Sequence, residues 1–434
     1  MFIKFIQFIF LFICLQQNSL AVLKIDTWET QDGSKVLFVE NHDLPILDIN
    51  VNFFAGSAQD PLTKEGLAEL THHLMNLGAA GINEEKLANE FSDIGVAIAG
   101  GVDLDRSYFK LRTLSSAAQK DKALTLFKYV MHAPDFPISV IDREKNRIIA
   151  SIKQSMTQPE SIANLAFMKS LYVEHPYSHP GSGSIESVQR LNQNDLKQFY
   201  KNYYLGSEAS IVIVGDLNIE EAKKISESIS HGLPQGKPVH TIKAVNNQNV
   251  AGVNKIKHPA KQSHILIGMP AVKRGQNDYF SLYVGNYILG GGGFVSRLTE
   301  EVREKKGLVY SVYSYLMPLY AEGPLEIGLQ TKKEQTEEAL HIVNATIKKF
   351  IDEGPTEKEL TAAKQNLIGG FPLRLDSNGK IVDYLSMIVF YKLPISYIDT
   401  YTHEINQVTI EQIKSAFKNR VDPNKLTTII VGSE

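Results

Sequence analysis

The organisation of the chain is set by the stretch Leu191-Asn-Gln-Asn-Asp-Leu-Lys-Gln-Phe-Tyr-Lys-Asn202, which precedes the strand-like Ile211-Val-Ile-Val-Gly215. A matching pair occurs in the second half, where Val408–Asn419 precedes Thr428–Gly432. Both parts repeat at one offset of 217 residues, from Asn202 to Asn419 and from Gly215 to Gly432. A helix and a strand that recur at a fixed offset are typical of duplication. The sequence therefore predicts two similar α+β halves.

The first residues of the two repeated helices support the duplication. Asn192 and Thr409 are both favoured N-cap residue types. Asp195 and Gln412 follow three residues later, as in a capping box. We therefore predict that both helices begin in the same way.

The connection between the halves differs from them in composition. Residues 233–253 are polar, rich in Gly, Asn and Gln, and without periodicity, which is typical of a linker. We predict an N-terminal domain over residues 22–232 and a C-terminal domain over residues 254–434.

The N-terminus has the pattern of an export signal. Lys4 precedes an apolar run from Phe5 to Leu15, and the small-x-small triplet Ser19-Leu-Ala21 follows. The run is shorter than the roughly 20 residues that span a bilayer. We predict a signal peptide over residues 1–21, and a mature chain that is periplasmic in a bacterium, or secreted, with no stable membrane span.

The position of the single cysteine restricts the disulfides, nucleophiles and metal ligands available to the mature chain. Cys14 is the only cysteine and lies within the predicted signal. Because Ile13 before it is bulky, we do not expect lipidation at Cys14. The mature chain would then contain no disulfide and no thiol nucleophile, and a metal site would need His, Asp or Glu ligands.

Length, composition and charge exclude several classes of protein. The chain has 434 residues, of which 43% are apolar, so it can bury sizeable cores and is not a disordered protein. The formal net charge of −3 provides no basic footprint for nucleic acid. We therefore expect a folded protein of more than one domain that does not bind nucleic acid.

A helix predicted over Glu65–Leu77 contains a near-match to a zinc motif. Its sequence includes Gly66-Leu-Ala-Glu-Leu-Thr-His-His-Leu-Met75, with a core stripe formed by Leu67, Leu70, Leu74 and Leu77. Glu69, His72 and His73 stand at i, i+3 and i+4, so we expect them to converge beside that stripe. The order Glu-x-x-His-His departs from the His-x-x-Glu-His of inverted zinc peptidases.

The second half contains a glycine run between predicted helices. We predict helices over Tyr279–Leu289 and Ser296–Lys306, the run Gly290–Gly293 between them, and a strand over Leu308–Leu316. Gly307 is a natural residue to end the second helix. The glycine run lacks the Gly-Lys-Ser/Thr of a phosphate-binding loop, so we do not expect nucleotide binding.

Five motifs together resemble the pitrilysin/insulinase family of zinc peptidases. They are Gly66-Leu-Ala-x-Leu-Thr71, Arg143-Glu-Lys145, His175-Pro-Tyr177, Gly290-Gly-Gly-Gly-Phe-x-Ser-Arg-Leu298 and Arg303-Glu-Lys-Lys-Gly-Leu-Val-Tyr310. The chain looks most like the short bacterial branch related to mitochondrial processing peptidase and the core proteins of the respiratory bc1 complex. This resemblance implies two homologous α+β domains, each a mostly antiparallel sheet covered by helices, that close over an unfolded peptide.

The resemblance also implies that the zinc site is degenerate. The first zinc histidine of the family falls on Glu69, its general-base glutamate on His72 and its second histidine on His73. With Glu144 as the supporting glutamate, the third ligand falls on Ser151, or on the preceding alanine if the register slips by one. A catalytic zinc normally needs three protein ligands and a base near its water. We therefore expect no metal in this chain and a zinc ion in a partner subunit.

A second group of family residues is intact. Arg303 and Tyr310 occupy the positions of an arginine and a tyrosine that reach peptide substrate from the C-terminal domain, and we expect Gly291, Gly292 and Phe294 at the substrate as well. A guanidinium can hold a carbonyl through a rigid fork, and a phenol can donate to an oxyanion. A purely structural role is the other interpretation, in which Arg303 pairs with glutamates of its own helix.

Three hypotheses follow from the sequence. In the leading hypothesis, the chain is the non-catalytic subunit of an exported heterodimeric zinc metallopeptidase, inactive alone, whose partner is a homologous subunit that carries the zinc motif. A second makes it a self-sufficient zinc metalloendopeptidase with an altered Glu69/His73 site. A third makes it a peptide-binding or assembly scaffold. The sequence does not identify the peptide substrate.

Overall fold

A computed structural model describes residues 23–96, 98–238, 242–246 and 251–433 of the chain. The predicted signal peptide, and Cys14 within it, lie outside the described residues. Parts of the predicted linker also lie outside them, so the domain boundaries stay predictions. No helix in the described ranges is long and apolar enough to cross a membrane.

The first half is built on a twisted six-stranded sheet. Its strands follow the order β1-β2-β8-β3-β7-β6, and only β2 and β8 pair in parallel. The strands are β1 (Asp26–Glu29), β2 (Lys35–Glu40), β3 (Ile46–Phe53), β6 (Ile98–Val102), β7 (Ser107–Leu114) and β8 (Ser210–Gly215), while β4 (Gly78–Ala79) and β5 (Ile82–Asn83) form a separate two-stranded ribbon.

Helices connect these strands and cover the sheet. Their apolar faces and the sheet enclose one buried cluster, which includes Val51, Leu70 and Phe127. The α-helices described in this half are α1 (Leu67–Met75), α2 (Glu84–Asp93), α3 (Ala117–His132), α4 (Ile138–Ser155), α5 (Pro159–Leu171), α6 (Ile185–Arg190), α7 (Gln193–Tyr203) and α8 (Ile219–Ser230).

The second half repeats the sheet of the first. Its strands follow the order β11-β12-β10-β13-β9, which matches β6-β7-β3-β8-β2, and again one pair, β9 with β13, is parallel. The strands are β9 (Gly252–Lys257), β10 (Gln262–Val272), β11 (Val309–Leu316), β12 (Gly323–Lys332) and β13 (Thr427–Ser433). The predicted fold class, two homologous α+β halves with mostly antiparallel sheets, is confirmed.

The helices of the second half include two π-helical turns. The α-helices described are α9 (Tyr279–Asn286), α10 (Thr336–Glu353), α11 (Glu357–Gly369), α12 (Asn378–Phe390), α13 (Tyr397–Gln407) and α14 (Ile410–Arg420). The π turns span Tyr287–Gly291 and Thr299–Glu304, where the sequence predicted ordinary helices over Tyr279–Leu289 and Ser296–Lys306. Hydrophobic periodicity does not distinguish α from π geometry, which explains the difference.

The repeat read from the sequence is confirmed residue by residue. Helix α7 and helix α14 differ by 217 at both ends, from Gln193 to Ile410 and from Tyr203 to Arg420. Asn192 and Thr409 both accept backbone N–H groups and complete capping boxes. Because the two helices begin with the same capping motif and are separated by 217 residues at both ends, the two halves share the same local architecture.

The two halves exchange helices. Helix α5 packs on β10 and β13 of the second sheet, where Phe167 lies in a buried cluster with Leu266. Helix α12 packs in turn on β3 and β8 of the first sheet, where Leu385 shares a buried cluster with Val212. Each sheet therefore buries part of its second face under a helix of the other half, and apolar burial holds the halves together.

Candidate functional site

Helix α1 is held at its first turn by a buried carboxylate. The Asp60 side chain accepts hydrogen bonds from the backbone N–H groups of Gly66 and Ala68, both at 2.8 Å. Gly66 has φ +87°, a left-handed conformation that favours glycine. The apolar stripe predicted for this helix is buried at Leu67, Leu70 and Leu74 and partly buried at Leu77. The helix is therefore fixed against the sheet, and with it the degenerate zinc motif.

His72 points into the protein. The residue is 6% exposed. Its ring packs at a tilt on Phe109, with 4.3 Å between ring centroids, and Nδ1 lies 2.9 Å from Oγ of Ser107. That hydroxyl lies 2.9 Å from the buried hydroxyl of Tyr204. Burial, together with the smaller effect of the nearby His73, lowers the pKa of His72 to about 4. A neutral, packed imidazole in this orientation cannot serve as a general base or an outward-facing ligand.

His73 is directed to a different element. Its Nε2 lies 2.9 Å from Oε2 of Glu144 on helix α4. The Glu144 carboxylate, 2% exposed, also accepts from Arg143 at 2.6 Å and from Arg147 at 3.2 Å. Burial raises the pKa of Glu144, but the hydrogen bonds from His73, Arg143 and Arg147 together bring it down to about 2. Two guanidiniums therefore neutralise the carboxylate that His73 contacts.

The remaining positions of the motif do not complete a metal site. Glu69 is half-buried, and burial raises the pKa of its carboxyl, against the lowering effect of His73. Ser151 is exposed on α4 and brings a hydroxyl where the family needs a carboxylate. The expectation that Glu69, His72 and His73 converge is wrong for His72, which turns to β7, whereas His73 contacts α4 and still acts electrostatically on Glu69. These residues do not fit a catalytic zinc.

The intact family pair forms an exposed cluster in the second half. The Arg303 guanidinium carbon lies 5.2 Å from the centre of the Tyr310 ring and 4.8 Å from that of Phe294. The two rings are 83% and 73% exposed, whereas the Arg303 side chain between them is 29% exposed. Aromatic faces attract a cation at this distance. The three side chains therefore present a flanked guanidinium to solvent.

Local backbone geometry creates this presentation. Arg303 lies in the π turn Thr299–Glu304, and Tyr310 lies where β11 skips register with β12 between Val309 and Val312. Gly307 between them has φ +63°. Both π turns and bulges re-aim side chains and recur at functional sites. Arg303 contacts only Glu304 among acids of the described chain, at 3.5 Å, while Lys305 pairs with the other two glutamates of that turn.

The glycine run fits tightly against its surroundings. A Cβ atom at Gly292 would lie 2.8 Å from the backbone oxygen of Tyr287, and one at Gly291 would lie 3.0 Å from Nδ2 of Asn286. Gly291 lines a cavity beside β11, whereas Phe294 stands with Arg303. Of the three positions predicted to contact substrate, Gly291 therefore lies at this cavity, Phe294 at Arg303 and Gly292 against Tyr287.

The sequence did not predict a buried hub that joins the halves. Asp105 is fully buried and accepts hydrogen bonds from the hydroxyls of Tyr177 and Tyr391, at 2.5 and 2.9 Å, and from the backbone N–H of Tyr320, at 2.9 Å. Tyr320 and Tyr391 belong to the second half. Asp105 stands in a turn that reads as an ordinary hairpin loop, so only the structure reveals its role.

Comparisons with known proteins agree with this architecture. The family model described as Insulinase (Peptidase family M16) matches residues 35–183, and the one described as Peptidase M16 inactive domain matches residues 190–367. A solved structure of a peptidase M16 inactive domain from Pseudomonas fluorescens is 36% identical, with a TM-score of 0.92, and the match covers 95% of this chain and 98% of that one.

Curated relatives are similar over nearly their whole length. The non-peptidase homolog YmxG of Helicobacter pylori is 26% identical over 428 residues, which cover 98% of this chain and 96% of that protein. The uncharacterized zinc protease YmxG of Bacillus subtilis is 24% identical over 396 residues, 90% of this chain and 94% of that protein. The class is thus a zinc-protease homologue with a degenerate zinc motif. The chain belongs to peptidase family M16, the insulinase family.

Proposed function

We propose that this chain is the non-catalytic subunit of a heterodimeric zinc metallopeptidase. In this role Arg303 and Tyr310 bind the peptide substrate at the zinc site of a homologous partner subunit. The observation that carries the proposal is the exposed cluster, in which a guanidinium flanked by Phe294 and Tyr310 has no strong acidic partner in the described chain. Polar groups displayed in this way are suited to a ligand.

The histidines of the first half also support a heterodimer in which the partner holds the metal and this chain binds the substrate. His72 is packed against Phe109, and His73 is bound to Glu144. Both imidazoles already have intramolecular partners, so the metal and its activated water belong to the partner in this proposal. A zinc ion held by that partner would provide an activated water, and this chain would contribute substrate binding only.

The chemistry of the pair suits an amide substrate. The Arg303 fork can donate two parallel hydrogen bonds to a peptide carbonyl or carboxylate. The Tyr310 hydroxyl can donate to an oxygen that gains charge during attack on the amide. Unfolded peptides are therefore the proposed ligands. We also propose that the mature chain acts outside the cytoplasm, in the periplasm of a bacterium, from the pattern of residues 1–21.

Reconstitution tests the proposal. Peptide hydrolysis would be measured with this chain alone, with a relative from the same source that carries the complete zinc motif, and with their mixture. We expect efficient hydrolysis only by the mixture. Hydrolysis by this chain alone would instead favour a self-sufficient Glu69/His73 site, and a mixture indifferent to Arg303 and Tyr310 would favour a scaffold.

A further inference from the structure

A cavity in the second half is lined by none of the three side chains of the Arg303 cluster. It has a volume of about 280 Å³, just below the roughly 300 Å³ at which small-ligand sites begin. Helix α9 and the π turn after it form one side, the end of β11 another, and α11 with the following turn the third. Its walls carry the tyrosines Tyr283, Tyr287 and Tyr315.

The duplication gives this cavity a counterpart in the first half. In chain order and in sheet order, α9, β11 and α11 correspond to α1, β6 and α4. Helix α1 carries the degenerate zinc motif, and α1 contacts α4 as α9 contacts α11. The second half thus retains an open space where the first half holds the packed His72 and the Glu144 network.

Two polar side chains at the cavity have hydrogen-bonding groups without a partner in the described chain. Asn286 is 7% exposed, and its Nδ2 donates to the backbone oxygen of Ser314 at 3.2 Å, but its Oδ1 has no hydrogen-bond partner among the described residues. Buried acceptors are rarely left unpaired in folded proteins, so this atom calls for a donor. Asn286 lines the cavity, so a ligand bound there can supply that donor once the shielded amide turns towards it.

The second group is a cation at the mouth of the cavity. Arg374 is exposed and donates one hydrogen bond through Nη2, at 2.8 Å, to the hydroxyl of Tyr283. No acid of the described chain forms an ion pair with Arg374, and Asp376 pairs instead with Lys380. A planar guanidinium with free N–H groups is well suited to bind a carboxylate.

We propose that this cavity binds the carboxylate end of a peptide. Arg374 holds the carboxylate at the mouth, a backbone N–H of the peptide donates to Oδ1 of Asn286, and the tyrosine walls contact the adjacent side chain. In the proposed substrate-binding role, this site would anchor the end of the peptide. The biological meaning of the site therefore rests on the proposed function. All the residues that bind the carboxylate end in this proposal belong to this chain, so binding needs no partner subunit.

Calorimetric titration of the isolated full chain tests the site. The probes are N-acetyl-Ala-Leu with a free carboxylate and the same dipeptide as its amide. We expect the acid to bind about tenfold more tightly than the amide. Arg374→Gln should abolish that preference, whereas Arg190→Gln, which changes an exposed arginine at the end of α6, should preserve it. Asn286→Leu should weaken both probes, because both donate the same N–H.

The inference is overturned if acid and amide bind the unaltered chain equally. It is equally overturned if Arg374→Gln keeps the preference, or if the acid shows no binding at millimolar concentration. Because no partner subunit is present, these results do not depend on reconstituted hydrolysis. A mixture that fails to cleave peptide would contradict the proposed function and leave the cavity's binding intact.

Discussion

Nε2 of His73 lies 2.9 Å from Oε2 of Glu144, so the histidine that the family resemblance aligns with a zinc ligand is bound to the glutamate that it aligns with the supporting carboxylate. Arg143 and Arg147 complete the coordination of that carboxylate. The two guanidiniums repel a further cation beside this carboxylate, which disfavours a metal ion at His73. This ion-pair network is the reason that the proposed function places the metal in a partner subunit.

The ion-pair network around Glu144 predicts a low zinc content for this chain. After dialysis, the chain should retain far less than stoichiometric zinc, and His73→Ala and Glu69→Ala should not lower the amount further. The measurement is elemental analysis, with a relative that carries the complete motif as the positive control. Stoichiometric zinc that disappears in His73→Ala would show that an altered site exists.

Acid should destabilise the protein through His72. Burial lowers the pKa of His72 from 6.5 to about 4 in the folded chain. The unfolded chain binds this proton near pH 6.5 and the folded chain does not, so stability falls as pH drops from 6.5 towards 4, by about 3 kcal/mol over the full range. Urea unfolding at several pH values measures the slope.

Two variants separate this effect from general acid unfolding. His72→Phe should flatten the slope between pH 6.5 and 4, because phenylalanine can stack on Phe109 and has no proton to gain. His403→Gln changes an exposed histidine and should keep the slope of the unaltered chain. Equal slopes for all three proteins would show that His72 is not the titrating group.

The Asp105 hub should matter for stability. Asp105→Ala leaves the hydroxyls of Tyr177 and Tyr391 and the N–H of Tyr320 without their acceptor. Buried unpaired groups are costly, so we expect a loss of about 3 kcal/mol or more in the free energy of unfolding. Asp376→Ala, which removes an exposed ion pair with Lys380, should cost less than about 0.5 kcal/mol. Similar losses for the two variants would disprove the special role of Asp105.

Phe294 should position the Arg303 guanidinium. An exposed cation–π contact contributes about 0.5–1 kcal/mol, so Phe294→Ala should lower kcat/KM of the reconstituted mixture by about two- to fivefold. Val295→Ala is the matched control, since Val295 is in the same exposed loop. In the isolated chain, the side-chain NMR signals of Arg303 should also lose the part of their ring-current shift that Phe294 causes, while the part from Tyr310 remains. Indistinguishable behaviour of the two variants would rule this contact out.

Local patterns were enough to predict the frame of the molecule. The 217-residue repeat, the capping residues Asn192 and Thr409 and the buried stripe of α1 all depend on neighbours in sequence or on apolar periodicity. Such features are determined largely by the chain segment itself. The exchange of α5 and α12 between the halves was not predicted, because it depends on which sheet face each helix meets after folding.

The sequence predicted which residues belong to the candidate site, but not the directions in which their side chains point. Spacing on a helix placed His72 and His73 near each other, but contacts with β7 and α4 turned their rings to Ser107 and Glu144. Asp105 had no motif to mark it, since its partners lie far away in sequence. Side-chain direction in a tertiary setting is the information that the sequence pattern lacks.

Hydrolysis by the reconstituted mixture with Arg303→Lys and Tyr310→Phe in this chain tests the central claim most directly. Lysine keeps the charge and loses the planar fork, and phenylalanine keeps the ring and loses the donor, so both should fold normally. We predict no hydrolysis by either subunit alone and a fall in kcat/KM of about tenfold or more for each variant mixture. Unchanged activity in both variant mixtures, or hydrolysis by this chain alone, would contradict the account.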